Sequence, residues 1–332
     1  MNELTHSASS RRALVIGKFM PPHLGHLHLV DAALAAARET MVLVCSLPDE
    51  PIPGALRHRW MHDLVPNATV RHVSDVLPSK PDDDPQFWAK WLHVIRREHR
   101  SPLDLLVTSE PWGDELAARL GARHLLVDVE RRAFPVSGTA IRARPRAHWR
   151  FLPPPVQAYY TRRIVVIGSE STGKTVLSAQ LAAHYGTVWT PEFARGYLDA
   201  KPAPLHDSDI EPIARGQIEI QQRGVRAATR LVFHDTDLVS TKVYAEHYYG
   251  RCASWIHTAA RAKRAHLYLL CAPDVPWVPD PQRDRPDRRV EMHALFVTAL
   301  RALRAQTVTL RGGWAERFER AVRAVDNEVA AG

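Results

Sequence analysis

Cysteine is scarce in this chain, which has only three in 332 residues. They stand far apart, at Cys45, Cys252 and Cys271, and their number is odd. A disulfide framework needs paired cysteines, and a cysteine-based zinc site needs several of them at close spacing. The sequence therefore predicts three ordinary thiols in a reducing compartment.

Long apolar runs are also missing, because no stretch approaches the ~18 residues that a membrane-spanning helix needs. Residues 1–12 are polar and lack the apolar segment of a secretory signal, so we expect a flexible N-terminus. These two absences predict a cytoplasmic protein without a membrane partner.

Lysine is the third scarce residue type. Of the 44 basic side chains all but seven are arginine, and the formal net charge is +8. The arginines are spread along the chain rather than gathered in one helix or tail, which suits polyanionic nucleotide ligands at least as well as nucleic acid. About a dozen residues precede the first predicted strand, too few for a three-helix DNA-binding module, so no nucleic-acid partner is expected.

The rest of the chain alternates between short β-branched segments and helical patterns. In the first half the predicted strands are 13–17, 41–46, 69–73, 103–108 and 124–129. In the second half they are 164–167, 187–189, 231–234, 266–271 and 307–310. Strands that alternate with helices predict an α/β protein with two doubly wound parallel sheets.

A proline-rich segment separates the two halves. Residues 151–162 contain Pro153, Pro154 and Pro155 and show no apolar periodicity suited to an element of their own. Such composition is typical of a linker. We therefore predict a first domain at 13–150 and a second at 163–332.

The most specific motif lies at the start of the second half. The predicted strand 164–167 runs into GSESTGKT, which fits G-x-x-x-x-G-K-[ST], and a helical pattern follows from Val176. In such a loop the backbone N–H groups cradle phosphates, the lysine neutralises the β and γ oxygens, and the last hydroxyl ligates Mg²⁺. We predict Lys174 as a catalytic residue and Thr175 as a metal ligand. The predicted ATP-binding residues are Gly168, Ser169, Glu170, Ser171, Thr172, Gly173 and Thr175.

Acidic residues at two further strand ends supply the acceptor side of a kinase. Glu192 follows the second strand of this half and is predicted to accept the proton of a substrate hydroxyl, with Arg195 as a substrate-binding residue one turn later. Asp235 and Asp237 follow the third strand, where a Mg²⁺-linked carboxylate is usual. Asp235 is predicted to bind the metal and Asp237 the substrate. Either can instead be a helix cap, and Asp237 remains an alternative base.

A loop rich in proline and arginine follows the next strand. It contains Arg283, Arg285, Arg288 and Arg289, the composition of a mobile lid over transferring phosphates. A solvated basic loop is the alternative.

The first half has its own phosphate-sized turn between a strand and a helix. Two imidazoles, His23 and His26, lie three residues apart at the predicted helix start, with Lys18 upstream and Gly25 between them. They can hydrogen-bond triphosphate oxygens and stabilise charge that develops at the α phosphorus, while Gly25 allows close approach. An H-x-x-H pair alone is a weak signal, since two surface histidines give the same pattern.

A later segment, VSGTAIR at 136–142, strengthens this hypothesis. Ser137 and Thr139 stand at a predicted helix start, and Arg142 follows one turn later, which makes a second oxyanion cradle. We predict Lys18, His23, His26 and Arg142 as catalytic residues. The predicted ATP-binding residues of this half are Gly25, Ser137 and Thr139.

Together these segments resemble the HxGH nucleotidyltransferases, which carry a GxFxPxHxGH turn and a late ISxTxxR segment. More closely, GKFMPPHLGH and PVSGTAIR followed by GSESTGKT resemble the bifunctional NadR family, nicotinamide mononucleotide adenylyltransferase fused to ribosylnicotinamide kinase. The resemblance covers residues 13–289. Val136 and Gly138 depart from the late motif, which leaves the strength of the transferase open, and the DNA-binding module of some members is not expected here.

The resemblance implies a Rossmann-like nucleotidyltransferase followed by a P-loop kinase. The kinase would phosphorylate nicotinamide riboside with ATP and Mg²⁺, and the transferase would join the mononucleotide to AMP, releasing pyrophosphate. The implied partners are small molecules: ATP, nicotinamide riboside, nicotinamide mononucleotide and NAD. The resemblance also implies ATP contacts for Gly17 and Phe19 and stacking of Trp112 on nicotinamide.

Two other functions fit the same modules. One is phosphopantetheine adenylyltransferase fused to dephospho-coenzyme A kinase, although residues 191–195 and 235–250 favour the nicotinamide branch. The other, from a different class, is a regulator that binds ATP and NAD without useful turnover. A homo-oligomer also stays open, because nothing in the sequence determines the oligomeric state.

Overall fold

The computed structural model describes residues 11–78, 81–201, 203–279 and 286–330. The chain divides into two compact units, residues 1–157 and 158–332. Each unit contains a five-stranded sheet in which every pairing is parallel. The predicted α/β fold class is confirmed.

The sheet of the first unit has the order β3-β2-β1-β4-β5. Its strands are β1 (Arg12–Gly17), β2 (Glu39–Cys45), β3 (Thr69–Val73), β4 (Leu105–Thr108) and β5 (Arg123–Leu126). The helices of this part of the chain are α1 (Leu24–Ala36), α2 (Gly54–Leu64), α3 (Phe87–Glu98), α4 (Gly113–Leu120), α5 (Gly138–Ala143) and α6 (Pro154–Tyr160).

Alternation along β1 explains why this sheet is covered on both faces. Val15 packs with α1 on one face, whereas Leu14 packs with Val94 and Ile95 of α3 on the other. Successive side chains of a strand point to opposite faces, so a continuous apolar run needs two helical layers. Because β1 is central, the turn that follows it opens at the middle of the sheet edge.

The sheet of the second unit has the order β10-β9-β6-β8-β7. Its strands are β6 (Arg162–Gly168), β7 (Trp189–Thr190), β8 (Leu231–Asp235), β9 (Leu267–Cys271) and β10 (Thr307–Leu310). Its helices are α7 (Lys174–His184), α8 (Phe193–Asp199), α9 (Ile210–Ala227), α10 (Leu238–Tyr249), α11 (Ser254–Ala262), α12 (Arg289–Ala302) and α13 (Trp314–Ala330). The central strand again leads into the candidate phosphate loop.

The predicted linker at 151–162 is wrong in one respect, because it contains the helix α6. Pro154 and Pro155 lie in the first turn, where a helix does not use backbone N–H groups, and the Val156 N–H already bonds to the Pro153 carbonyl at 2.9 Å. Val156 is fully buried. The prolines therefore start a helix here, and the boundary between the two units falls inside it.

The predictions made from the few cysteines and the short apolar runs can be compared with the described residues. Cys45, Cys252 and Cys271 are free thiols, as predicted. Within the ranges that the structure describes, no helix combines the length and the apolar character needed to cross a bilayer.

Phe296 tests the assigned core of the second unit. It is fully buried on α12, whereas its neighbour Leu295 is 37% exposed. Phe296→Ala leaves a cavity, so we expect the free energy of unfolding of this unit to fall by about 3–5 kcal/mol. Leu295→Ala should change it by less than about 0.5 kcal/mol. Urea denaturation measures both, and equal losses would contradict the assigned core.

Candidate nucleotide-binding sites

The turn after β1 brings two histidines into contact. His23 is the N-cap residue of α1, with extended backbone, and the His26 ring stacks on its ring with centroids 3.6 Å apart. A Cβ on Gly25 would lie 3.1 Å from the His23 ring, so glycine gives the imidazole room. The predicted pair at a helix start is therefore also a pair in space.

Both imidazoles are held neutral. Burial, with the charge of Arg131, lowers the pKa of His23 to about 4. Burial also lowers the pKa of His26 well below its usual value, and His23 and Arg131 lower it further. Neutral rings can donate from one nitrogen without adding a charge.

The Phe19 side chain is buried under the histidine pair. It is 1% exposed, and its ring packs edge-on against His26 at 5.0 Å. The turn backbone at Phe19 has positive φ, 46°. The Phe19 ring thus supports His26, and its predicted ATP contact stays a prediction.

The late segment approaches the same turn. Ser137 is the N-cap residue of α5, and its Oγ accepts from the Ala140 N–H at 3.1 Å. The Arg142 guanidinium donates to the Met20 carbonyl, and also to Thr139 Oγ1 at 3.2 Å. A Cβ at position 138 would lie 2.5 Å from the Met20 oxygen. Gly138, a departure from the family motif, is therefore what this close approach requires.

Two cavities adjoin this turn. A cavity of about 120 Å³ is lined by the histidine pair together with Arg131 and Ser137. A second, about 320 Å³, is largely apolar and is lined by Gly17, Lys18, Trp112 and the aromatic residues Phe87, Trp88 and Trp91. Trp112, predicted from the resemblance, thus lines a cavity with two further tryptophans of α3 that sequence reasoning missed.

Arg57 is the most deeply buried charged residue of the first unit, with 0% exposure. Its guanidinium donates to the carbonyls of Ile52 (2.9 Å), Cys45 (3.2 Å) and Lys18 and pairs with Glu50. Glu50 in turn lies 2.9 Å from the Lys18 ammonium. Lys18, which lines the apolar cavity, therefore contacts the buried ion pair of Glu50 and Arg57.

In the second unit the P-loop has the geometry that its motif predicts. Gly168 (φ 149°) and Gly173 (φ 82°) adopt backbone angles that favour glycine, and a Cβ on Gly173 would lie 2.3 Å from the Trp314 ring. Lys174 Nζ donates to the Ser169 carbonyl at 3.0 Å. Thr175 Oγ1 donates to Asp235 Oδ2.

Two arginines outside the motif hold the P-loop from behind. Arg317 of α13 is 1% exposed and donates to the carbonyls of Thr172 (3.3 Å) and Ala272 (3.0 Å), and it pairs with Asp274. Arg289 donates to the Ser171 carbonyl at 3.1 Å. No sequence signal indicated Arg317, because it lies within an ordinary amphipathic helical pattern.

A cavity of about 520 Å³ opens beside the P-loop. Glu192 and Arg195, both predicted, line it with Lys174. Burial, opposed by Lys174 and reinforced by Asp235, raises the pKa of Glu192 to about 7. Burial also raises the pKa of Asp235, which Lys174 and Thr175 partly offset. The wall therefore holds a carboxyl group that changes its charge near neutral pH.

Asp237 requires a correction, because it does not line this cavity. Its Oδ1 accepts from the Val239 N–H at 2.9 Å as the N-cap of α10, and its Oδ2 accepts from the Tyr268 hydroxyl at 2.7 Å. The carboxylate is turned into the core by these two bonds. The helix-cap alternative is the one that the structure supports, and neither substrate binding nor a base role is.

The predicted lid is only partly described. Arg283 and Arg285 lie outside the described residues. Arg288 is 3.6 Å from Glu291 on the same helix, whereas its neighbour Arg289 contacts the P-loop. Of the two described arginines of this segment, Arg289 is therefore the one that meets the phosphate loop.

Sequence reasoning also missed the far wall of the large cavity. Thr236, Ser240, Thr241, Tyr244 and Tyr248 line it, all from the end of β8 or from α10. The Tyr244 and Tyr248 rings are nearly parallel, at 14°, with centroids 6.0 Å apart. Their i, i+4 spacing was a usable signal, since such residues share one face of a helix.

Comparison with known proteins gives a matching family model and a relative that aligns with most of this chain. A model described as "AAA domain" matches residues 163–317. The chain is 27% identical over 289 residues to the "Trifunctional NAD biosynthesis/regulator protein NadR" of Escherichia coli (strain K12), covering 80% of this chain and 70% of that protein. The chain is homologous to NadR. The resemblance predicted from the HxGH and P-loop segments is confirmed.

Two further likenesses are a solved structure and a short local match. A crystal structure of a NadR protein in complex with NR matches with a TM-score of 0.81 and 23% identity, covering 96% of each chain, which is a likeness of fold. A 36-residue stretch, 11% of this chain, is 56% identical to 21% of the "Nicotinamide-nucleotide adenylyltransferase" of Aeropyrum pernix.

Proposed function

We propose that this chain makes NAD by salvage in two steps. The second unit phosphorylates nicotinamide riboside with MgATP, and the first unit transfers AMP from ATP to the resulting mononucleotide, with release of pyrophosphate. One observation carries the proposal: this NadR homologue contains two nucleotide-type sites. One is a P-loop beside an acceptor cavity, and the other is a paired-histidine turn beside a tryptophan-lined cavity.

The kinase assignment uses the large cavity as the riboside site. Its volume, about 520 Å³, accommodates a nucleoside in line with a γ-phosphate on the P-loop. The Tyr244 and Tyr248 rings offer π faces to a pyridinium cation. Glu192 accepts the proton of the 5′-hydroxyl, while Lys174 and Arg195 neutralise the transferring group.

A divalent cation fits the end of the P-loop. Asp235 Oδ1 is buried and has no hydrogen-bond partner among the described residues, and Thr175 Oγ1 contacts the other carboxylate oxygen. Mg²⁺ needs few protein ligands when phosphates and water complete its shell, which agrees with the absence of any cluster of three His, Cys, Asp or Glu in the described ranges. Thr175 and Asp235 would hold the ion, which neutralises phosphate charge when bound.

The transferase assignment uses both cavities of the first unit. His23 and His26 donate to the α-phosphate oxygens as neutral imidazoles, and Ser137, Thr139 and Arg142 complete the phosphate cradle. Trp88, Trp91 and Trp112 surround a cavity that suits a flat cation such as nicotinamide. An acyclic pantetheine arm gains less from such rings, so the coenzyme A alternative is less well supported.

A product assay tests the assignment directly. The chain is incubated with MgATP and, separately, with nicotinamide riboside, nicotinamide mononucleotide, phosphopantetheine or dephospho-coenzyme A, and products are identified by mass. We expect nicotinamide riboside to yield the mononucleotide and NAD, and we expect nicotinamide mononucleotide to yield NAD. Turnover of the pantetheine acceptors alone would favour the other fusion, and ligand-induced thermal shifts without any product would favour a regulator.

The two activities should separate by mutation. Lys174→Ala should lower riboside phosphorylation by about 10² or more, through loss of a preorganised cation, and leave adenylyl transfer to supplied mononucleotide intact. His26→Ala should lower adenylyl transfer and leave riboside phosphorylation intact, so that mononucleotide accumulates. Steady-state assays of each step measure both, and equal loss of the two activities in either variant would contradict two separate sites.

Glu192→Gln tests the proposed base. It preserves size but removes basicity, so kcat of the kinase should fall by roughly 10² to 10⁴ with little change in KM. Because only the ionised carboxylate accepts a proton, wild-type kcat/KM should fall as pH drops below about 7, the raised pKa of Glu192. Asp235→Asn is the matched control and should shift the Mg²⁺ dependence instead. A Glu192→Gln variant with normal kcat would leave this residue a substrate-binding role at most.

A further inference from the structure

Glu50 links a buried arginine to the lysine of the first site. Its side chain is 9% exposed, and its two oxygens face different cations: Oε1 lies 2.9 Å from Lys18 Nζ, and Oε2 pairs with Arg57 Nη2. Oε2 also accepts from the Leu47 N–H at 3.0 Å. The Leu47 N–H and Arg57 therefore hold the Glu50 carboxylate in place. Of its three partners, only Lys18 can change its position.

The anchor of this arrangement is rigid. Arg57 has no exposed surface, and its other donors meet the carbonyls of Ile52, Cys45 and Lys18 itself. A buried guanidinium is stable only when its donors are satisfied, so these bonds fix its position. Arg57 thus sets both the backbone of Lys18 and the carboxylate that receives the Lys18 ammonium.

The Glu50 group carries a net positive charge at the edge of the cavity. Two cations share one carboxylate, and Lys18, with 47% of its side chain exposed, borders the cavity together with Asp75, which pairs with Arg97. Burial alone would raise the pKa of Glu50, but the Leu47 N–H, Lys18 and Arg57 together hold it below its usual value. Glu50 therefore stays ionised at neutral pH and keeps its hold on Lys18.

We propose that Glu50 is a positioning residue for adenylyl transfer, which holds the Lys18 ammonium at the cavity so that it meets the phosphates in one orientation. The inference rests on the proposed function of the first unit. A lysine side chain loses conformational entropy when it is ordered, and the Glu50 contact makes that ordering a property of the free protein.

A double-mutant cycle tests the proposal. Glu50→Gln should lower kcat of adenylyl transfer by about 10- to 100-fold with KM for ATP changed less than about 3-fold, because the misplaced charge matters most in the transition state. In a Lys18→Met background the same change should have an effect below about 2-fold. An equal loss in both backgrounds would show that Glu50 acts on structure alone, which would overturn the proposal. Glu39→Gln, at an exposed pair with Arg12, is the control and should change nothing.

A second measurement does not depend on turnover. Reductive ¹³C-methylation labels the seven lysines, and Lys18→Met assigns the Lys18 NMR signal. We expect that signal to be displaced in the wild type and to move to the position of a free lysine in Glu50→Gln, while the Lys90 signal reports that the first unit remains folded. If Glu50→Gln is unstable, Glu50→Asp, which withdraws the charge by one methylene, replaces it. An unaltered Lys18 signal would overturn the proposal, whereas a wild type without adenylyl transfer but with the expected NMR change would contradict the proposed function instead.

Discussion

Parallel strands end in carbonyl groups that have no partner at the edge where a ligand must enter, and in both units one fully buried arginine supplies that partner. Arg57 meets carbonyls that follow β1 and β2, and Arg317 meets carbonyls of the P-loop and of the residue after β9. Buried backbone groups must be paired, yet a loop that binds phosphate cannot pair them with another strand. Each arginine is balanced by a single carboxylate, Glu50 or Asp274. These bonds hold the loops in place from the core side.

The two sites reach charge stabilisation by different chemistry. In the first unit burial and Arg131 keep His23 and His26 neutral, so each ring offers an N–H donor without a charge. In the second unit Lys174 stands close enough to the acids to oppose the rise in their pKa. Transfer at an α phosphorus, flanked by the rest of the nucleotide, needs directed donors, whereas a terminal γ-phosphoryl group carries more charge and needs a cation. In the proposed reactions the first site combines neutral imidazoles with the Lys18 ammonium, whereas the second relies on Lys174.

Sequence patterns predicted what depends on local order. The strand alternation, the P-loop between strand and helix, and the histidine pair at a helix start all follow from spacing within a few residues. What the patterns missed depends on burial between distant segments. Arg57 and Arg317 lie in helical patterns where arginine usually faces solvent, and Trp88 and Trp91 lie on α3, remote in sequence from the turn after β1. Phe19 occupies a motif position, but a motif does not state the direction of a side chain. Pro154 and Pro155 favour a linker or a helix start equally until the buried Val156 decides between them.

Three acids at one sheet edge show how surroundings assign roles that sequence position leaves open. Asp237 is occupied by the Val239 N–H and the Tyr268 hydroxyl, so it caps a helix and does not line the large cavity. Asp235 is bound by Thr175 through one oxygen and has the other buried and unpartnered, which suits a cation. Glu192 has neither arrangement; it lines the cavity, and its pKa is raised to about 7 chiefly by burial. A carboxylate near a cation stays an anion, and one that is already bonded is a poor proton acceptor. The proposed base is therefore Glu192, the one of the three acids that lines the cavity and has neither arrangement.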